Sequence, residues 1–438
     1  MEKITRKQKR EKEEEINFFV EFIKIKNHFF KSLNSMLKRV KDNRHQSYVE
    51  YNSDILLFLL IMKNVSGIKS MNKMTDKFNR NECIQNVAKV LGYDDLDEIP
   101  HYDTINNFLK ILDTVEIEKI RDYMIKELFK KRCLEQYRLM DKYWIIAVDA
   151  TGIATFSEKH CEHCLKKEYK NKDTGEVEKT LYFHFVLEAK LVIGDMVFSI
   201  DSEFIENENE IYDKQDCESK AFKRLATRIK NKYPRLPICI LGDSLYACDP
   251  VFDLCKELNW KYIFRFKEGR IKTLWRDYLE LKKIEPNMYN DSYSWINEIP
   301  YCDNNINLVE ASIVEDNVTK DFVFVTDINI SQKKVERIVA AGRSRWKIEN
   351  NGFNNQKNIR YDIEHQCSLN YNAMKNHYLL IQISDIIIQL FEKGYDLIRN
   401  LNYGITKISS TLLDSFRRDI ITIEDISKLA KRMQIRSL

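Results

Sequence analysis

The rhythm of apolar and polar positions changes twice along the chain. From residue 16 to about 135, apolar residues recur at helical spacing. The run Asp54-Ile-Leu-Leu-Phe-Leu-Leu-Ile-Met62 reads as a buried helix. In Pro100-His-Tyr-Asp-Thr-Ile-Asn-Asn-Phe-Leu-Lys-Ile-Leu112, Asp103 or Thr104 is the expected N-cap before an apolar face at Ile105, Phe108, Leu109 and Leu112. Residues 117–129 continue as another amphipathic stretch.

A different pattern begins at Tyr143. Tyr143-Trp-Ile-Ile-Ala-Val-Asp149 is a short β-prone run ending in an acid. Residues 180–189 and 190–200 read as two further strands turning near Gly194-Asp195. A helix is expected over 216–233, with Ala221, Leu225 and Ile229 facing inward. Pro237-Ile-Cys-Ile-Leu-Gly-Asp243 is again a buried strand ending in an acid. A helix (250–258) and a strand (261–266) follow. Three strands, helix, strand, helix, strand is the order of an RNase H-like α/β fold, a mixed sheet flanked by helices. Residues 271–331 are polar and strand-like and read as a β-rich insertion; helical pattern resumes at Ser331. The division expected is a helical region over 1–140, a first core segment over 141–270, the insertion over 271–331, a second core segment over 332–395, and a helical tail over 396–438.

Composition narrows the picture by exclusion. Lys+Arg 71 against Asp+Glu 67 leaves a net charge of only +4, so nucleic-acid binding has to be argued from local clusters. The charged N-terminus lacks the apolar run of a signal peptide. Residues 55–62 are too few to span a bilayer, and 378–391 are interrupted by Gln382, Ser384, Asp385 and Gln389. A cytoplasmic protein without membrane association is expected, and its ten scattered cysteines read as reduced thiols.

Asp149 and Asp243 each close a hydrophobic strand, where side chains project into a crevice at the carboxyl edge of a sheet. Either alone could simply begin a turn. Together, in this fold order, they suit phosphoryl chemistry, which needs carboxylate oxygens converging on divalent ions. A third acid stands in Gly342-Arg-Ser-Arg-Trp-Lys-Ile-Glu-Asn-Asn-Gly-Phe-Asn-Asn-Gln-Lys357, where Arg345 and Glu349 share a helical face at i and i+4. Such a spacing also describes an ordinary surface ion pair. The setting is unusual, because residues 333–360 hold eight Lys/Arg and two Glu in a nearly neutral chain.

Asp149, Asp243 and Glu349 in this order, with a β insertion between the second and third, resemble the DDE transposases of bacterial insertion sequences. The resemblance runs from about residue 50 to 395. Its most specific part is Arg345 to Lys357 with Asp362-Ile-Glu-His365. It is supported by Val148-Asp-Ala-Thr-Gly152, the Gln215-Asp-Cys-Glu218 segment, Asp243-Ser-Leu-Tyr246 and the run from Pro100 to Leu109. It implies two Mg²⁺ ions on the three acids, with Mn²⁺ as a substitute, and cleavage and strand transfer at the terminal inverted repeats of a mobile element. It also implies double-stranded DNA, both element end and target, as partner, and a homodimer synapsing two ends. Arg345 and Lys357 would assist catalysis, and Arg345, Lys347, Lys357, Tyr246 and Trp295 would contact DNA, with Trp295 either stacking on a flipped base or packing in the core. In the family signature a Tyr falls at Gly342 and a Lys at Gln356, and neither matches. Lys357 is one residue late, about 100° round an α-helix, a turn that a π-bulge near 350–352 would restore.

Cys161-x-x-Cys164 has zinc-ligand spacing, yet Cys217, Cys239, Cys255 and Cys302 stand singly and supply no second pair, so zinc is disfavoured here. The basic residues of 220–232 are read as a solvated face before a DNA surface. Two rivals to the transposase remain: an RNase H-like nuclease that cuts without joining, and an inactive transposase-derived DNA-binding protein.

Overall fold

The computed structural model describes residues 16–209, 211–284, 287–422, 424 and 425. They form two compact units, one of residues 134–353 and one made from the described parts of 1–133 and 354–438.

The first unit is built on a sheet. Its strands among the described residues are β1 (Trp144–Phe156), β2 (Leu165–Lys170), β3 (Val177–Ile193), β4 (Met196–Ile205), β5 (Ile238–Gly242), β6 (Lys261–Arg265), β7 (Asn287–Tyr289), β8 (Tyr293–Tyr301), β9 (Asn304–Glu315) and β10 (Val318–Thr326). The central order is β4-β3-β1-β5-β6. β3 runs antiparallel to β1 and β4, whereas β1, β5 and β6 are parallel. Helices Glu218–Lys232 and Asp249–Glu257 make the two connections on the parallel side. This is the RNase H-like sheet that the order of apolar runs implies.

The sheet departs from the sequence reading in several places, and β2 has no counterpart in it. β1 does not stop at Asp149 but continues to Phe156, because β3 pairs with it as far as Phe156 while β5 accompanies it only to Ala147. Asp149 therefore lies just past the end of parallel pairing, within the strand. Residues 271–331 begin with a helix, Lys272–Ile284, and their strands are not a separate β body. β10 pairs with β6, so β10, β9, β8 and β7 prolong the main sheet.

Helix Val335–Ser344 covers the face carrying Ala147, Leu241 and Ile263. Val335, Ile338, Val339 and Ala341 are buried there, as are Ile348 and Phe353 just beyond. Each of the larger side chains among them contributes about 1.5–3 kcal/mol when fully withdrawn from water. Gly342 explains its own departure from the family signature: a Cβ there would lie 2.7 Å from the ring of Phe324 and 3.0 Å from Ile263. The helix approaches the sheet too closely for any side chain, and certainly for a Tyr.

The second unit is helical. Helix Ser53–Val65 is buried throughout, including Asp54, Lys63 and Asn64, as the continuous apolar run requires. Asn64 donates to Ser384 (3.1 Å) on helix Tyr371–Gln389, and Asn376 of that helix donates to the carbonyls of Leu109 and Leu112, both at 2.9 Å. The N-cap of helix Tyr102–Ile111 is His101, ahead of the expected Asp103 or Thr104; its side chain accepts from the Asp103 amide. Residues expected as a C-terminal tail belong to this unit. In helix Ile405–Arg418, Ser415 accepts from the Phe18 amide, and the Phe416 carbonyl accepts from buried Asn86. No helix among the described residues is long and apolar enough to cross a membrane.

Candidate active site

Strand register places the first two acids. Trp144 lies opposite Ile238 and Ala147 opposite Leu241 in the parallel β1–β5 pair. Two residues further along each chain come Asp149 and Asp243, which continuation of that register sets on the same face, one strand spacing or about 5 Å apart. Asp243 accepts a hydrogen bond from the Leu245 amide (2.7 Å), which fixes the turn that follows β5.

The third acid arrives from the helical layer. The backbone tightens at Arg345, between helix Val335–Ser344 and a π-helix over Ile348–Arg360. One guanidinium nitrogen of Arg345 bonds Glu349 Oε1 at 2.7 Å and Asp149 Oδ2 at 3.4 Å. Arg345 is buried, so the i,i+4 pair is no surface ion pair; it bridges helix and sheet. Ile348 and Phe353, both in the core, flank Glu349 and hold its turn against the sheet.

Glu218, which the sequence reading names only within the Gln215–Glu218 match, joins this group. It opens helix Glu218–Lys232 and accepts from the hydroxyl of Tyr246 at 2.6 Å. Burial raises its carboxyl pKa, the Tyr246 hydrogen bond opposes that, and the Asp243 charge adds to it. Asp149 is pushed up to about 7, first by burial and then by the charges of Glu349 and Glu218, against the opposing pull of Arg345. Four carboxyls thus face one another with Arg345 as the cation bridging two of them. An anionic, oxygen-only donor set of this kind fits a hard divalent cation.

Other predicted contacts fall differently. Tyr246 is 2% exposed and cannot touch a DNA backbone; its ring lies across Gly242, where a Cβ would meet it at 2.6 Å, and its hydroxyl serves Glu218. Trp295 is part of the core beside Val309, the packing alternative rather than base stacking. Lys347 binds the Gly194 carbonyl (2.8 Å) and Asp195 (3.0 Å), anchoring its helix to the β3–β4 turn instead of DNA. Lys357 pairs with Glu364 at 2.7 Å. The α-helical count that made Lys357 late does not apply, since the chain from 348 to 360 is π-helical. Gln356, fully buried, donates instead to Gln382 and Asp385. On helix Glu218–Lys232, Arg224 pairs with Glu203 and Asp216, and Arg228 with Asp201 and Glu203.

Two residues beside the site were missed. Trp346, next to Arg345, is half exposed, its ring 5.5 Å from the guanidinium. Arg265, at the end of β6, has its pKa lowered by burial and then by the charge of Arg345. Trp346 lies within the Arg345–Lys357 run without a role of its own there, and Arg265 has no signal in the sequence beyond its type. Cys161 and Cys164 also gain a companion that linear spacing conceals, because His184 on β3 lies against both.

A mixed RNase H-like sheet with clustered acids at the end of its parallel strands defines a class of enzymes acting on nucleic-acid phosphodiesters. Residues 140–384 match the family model "Transposase DDE domain", and residues 34–123 match one described as "DDE_Tnp_1-associated". The chain belongs to the DDE transposase family, whose members bind DNA and generally use divalent metal ions. No curated protein matches it.

Proposed function

We propose that this transposase is an active enzyme that cleaves DNA strands at the ends of a mobile element and joins them to target DNA. The observation that carries this reading is Arg345 bonding both Asp149 and Glu349 beside Asp243. A transposase reduced to a DNA-binding protein would have no need to keep acids crowded around one buried arginine, with a raised Asp149 pKa as the consequence.

In this reading Asp149, Asp243 and Glu349 hold two divalent ions, Mg²⁺ in the cell and Mn²⁺ as substitute. Bound there, they supply Lewis-acid polarisation of the phosphate and a stronger oxygen nucleophile. Water adds to the phosphorus at the element's end, the bond to the 3′-oxygen breaks, and that oxygen leaves as a hydroxyl. The same hydroxyl then attacks a target phosphate and displaces a second 3′-hydroxyl, with no covalent protein–DNA intermediate. Arg345, seconded by Arg265 and in the family pattern by Lys357, neutralises charge gathering on the phosphate. Glu218 and Tyr246 hold the acids in place from beneath. Trp346, an exposed ring beside a phosphate-binding arginine, suits base stacking better than Trp295. The helical region over 1–140 is the reader of double-stranded terminal repeats, and the working form is a homodimer bridging two ends in the cytoplasm.

The test is incubation of the purified protein with labelled DNA carrying the inverted repeats that flank its gene, plus Mg²⁺ and a plasmid target. Joined products are expected. Cleavage without joining would favour the nuclease, and binding without cleavage the inactive derivative.

A further inference from the structure

Outside the acidic site, Cys161, Cys164 and His184 present their ligand atoms to one point; all lie within 4.8 Å of one another. The two sulfurs are 3.7 Å apart, and His184 Nε2 lies 3.4 Å from Cys161 Sγ and 3.5 Å from Cys164 Sγ. A tetrahedral zinc with Zn–S about 2.3 Å and Zn–N about 2.05 Å sets S···S at about 3.8 Å and S···N at about 3.6 Å. The three observed distances agree with that tetrahedron to within about 0.2 Å. They do not describe a disulfide, whose sulfurs stand about 2.05 Å apart.

The loop that carries the thiols is held in this shape. Buried Asn207 donates its side-chain amide to the Cys164 carbonyl (2.8 Å), its backbone amide donates to the His163 carbonyl, and its own carbonyl is met by His163 Nδ1 at 2.8 Å. The Cys164 amide closes the turn onto the Cys161 carbonyl. His184 is fully buried on β3, opposite Ala154 of β1. These bonds fix the backbone from which both thiols project, leaving the sulfurs in place opposite His184. His160 stacks on Phe156 at 4.3 Å, its ring 6.4 Å from that of His184, and is not one of the three converging ligands.

We propose that Cys161, Cys164 and His184 bind one zinc ion that clasps the β1–β2 loop to β3. Four residues along β3 from His184 is Glu188, the register partner of Asp149, so the clasp lies about 13 Å from the acids on the same strand. It stiffens the strand pair that presents Asp149 without entering the reaction.

The test uses the full-length protein expressed with zinc in the medium. Elemental analysis is expected to find about one zinc per chain. Cys161→Ser and Cys164→Ser should each weaken zinc affinity by at least about 100-fold, whereas Cys217→Ser and Asp149→Asn should leave zinc content unchanged. Cobalt added to the metal-free wild type should give thiolate-to-cobalt charge-transfer absorption, which tests the site even if a variant fails to fold. A zinc content unchanged in both cysteine variants, no cobalt–thiolate band in the wild type, or a Cys161–Cys164 disulfide found by thiol mapping would overturn the proposal.

Discussion

Asp149→Asn separates stability from activity, and its size follows from the site. In the folded chain burial and the neighbouring acids raise the Asp149 pKa to about 7 from an ordinary 3.8. The folded state therefore holds a proton that the unfolded state has released, and stability falls as pH rises between those two values. About three pKa steps at 1.36 kcal/mol each put the full loss near 4 kcal/mol above pH 7. Asparagine keeps an oxygen for Arg345 and removes the charge. Without added Mg²⁺ at pH 8, the variant should be about 2–4 kcal/mol more stable than the wild type, with the difference fading towards pH 4. Denaturant melts across that range, each with and without Mg²⁺, read it directly. Mg²⁺ should stabilise the wild type by mass action and the variant hardly at all. If Asp149→Asn is no more stable at pH 8, or gains as much from Mg²⁺, Asp149 is not a crowded metal ligand.

Arg345→Ala should lower the joining rate by about 100–1,000-fold with DNA binding largely kept, and Arg345→Lys should restore only part of it; single-turnover assays check both. Gly342→Ala should cost about 1–3 kcal/mol in a denaturant melt, since its Cβ would press on Phe324 at 2.7 Å. Trp346→Ala should weaken binding to end DNA by about 1–3 kcal/mol without lowering the melting temperature, whereas Trp295→Ala should destabilise the fold by about 3–5 kcal/mol. Tyr246→Phe strips Glu218 of its hydrogen bond and should raise the pH at which activity appears; a pH–rate profile unmoved from wild type would count against Glu218 as part of the site.

The aspartates were legible because a buried strand announces itself and its last residue has a predictable address. Their adjacency was not, since register between strands about 90 residues apart depends on pairing that no local pattern records. Asp149 reads as a strand end only because the apolar run stops there; β3 carries the strand on, and pairing supplies what sequence alternation lacks. Glu218 and His184 were hidden for the same reason, each completing a cluster whose other members lie elsewhere in the chain. Tyr246 and Lys347 were placed on DNA by nearness in sequence to the acids, and Trp295 by its place in the insertion, positions that do not distinguish a buried ring from an exposed one. Gly342 and Gln356 looked like defects in a signature and are instead fitted residues, one for close helix packing and one for a buried amide network.

The most direct measurement of the central claim is strand joining by the wild type beside Asp149→Asn, Asp243→Asn and Glu349→Gln, each shown to be folded and able to bind end DNA. Mg²⁺-dependent joining is expected of the wild type, with loss of both cleavage and joining in all three variants. Cleavage that survives in any one of them would contradict the assigned triad.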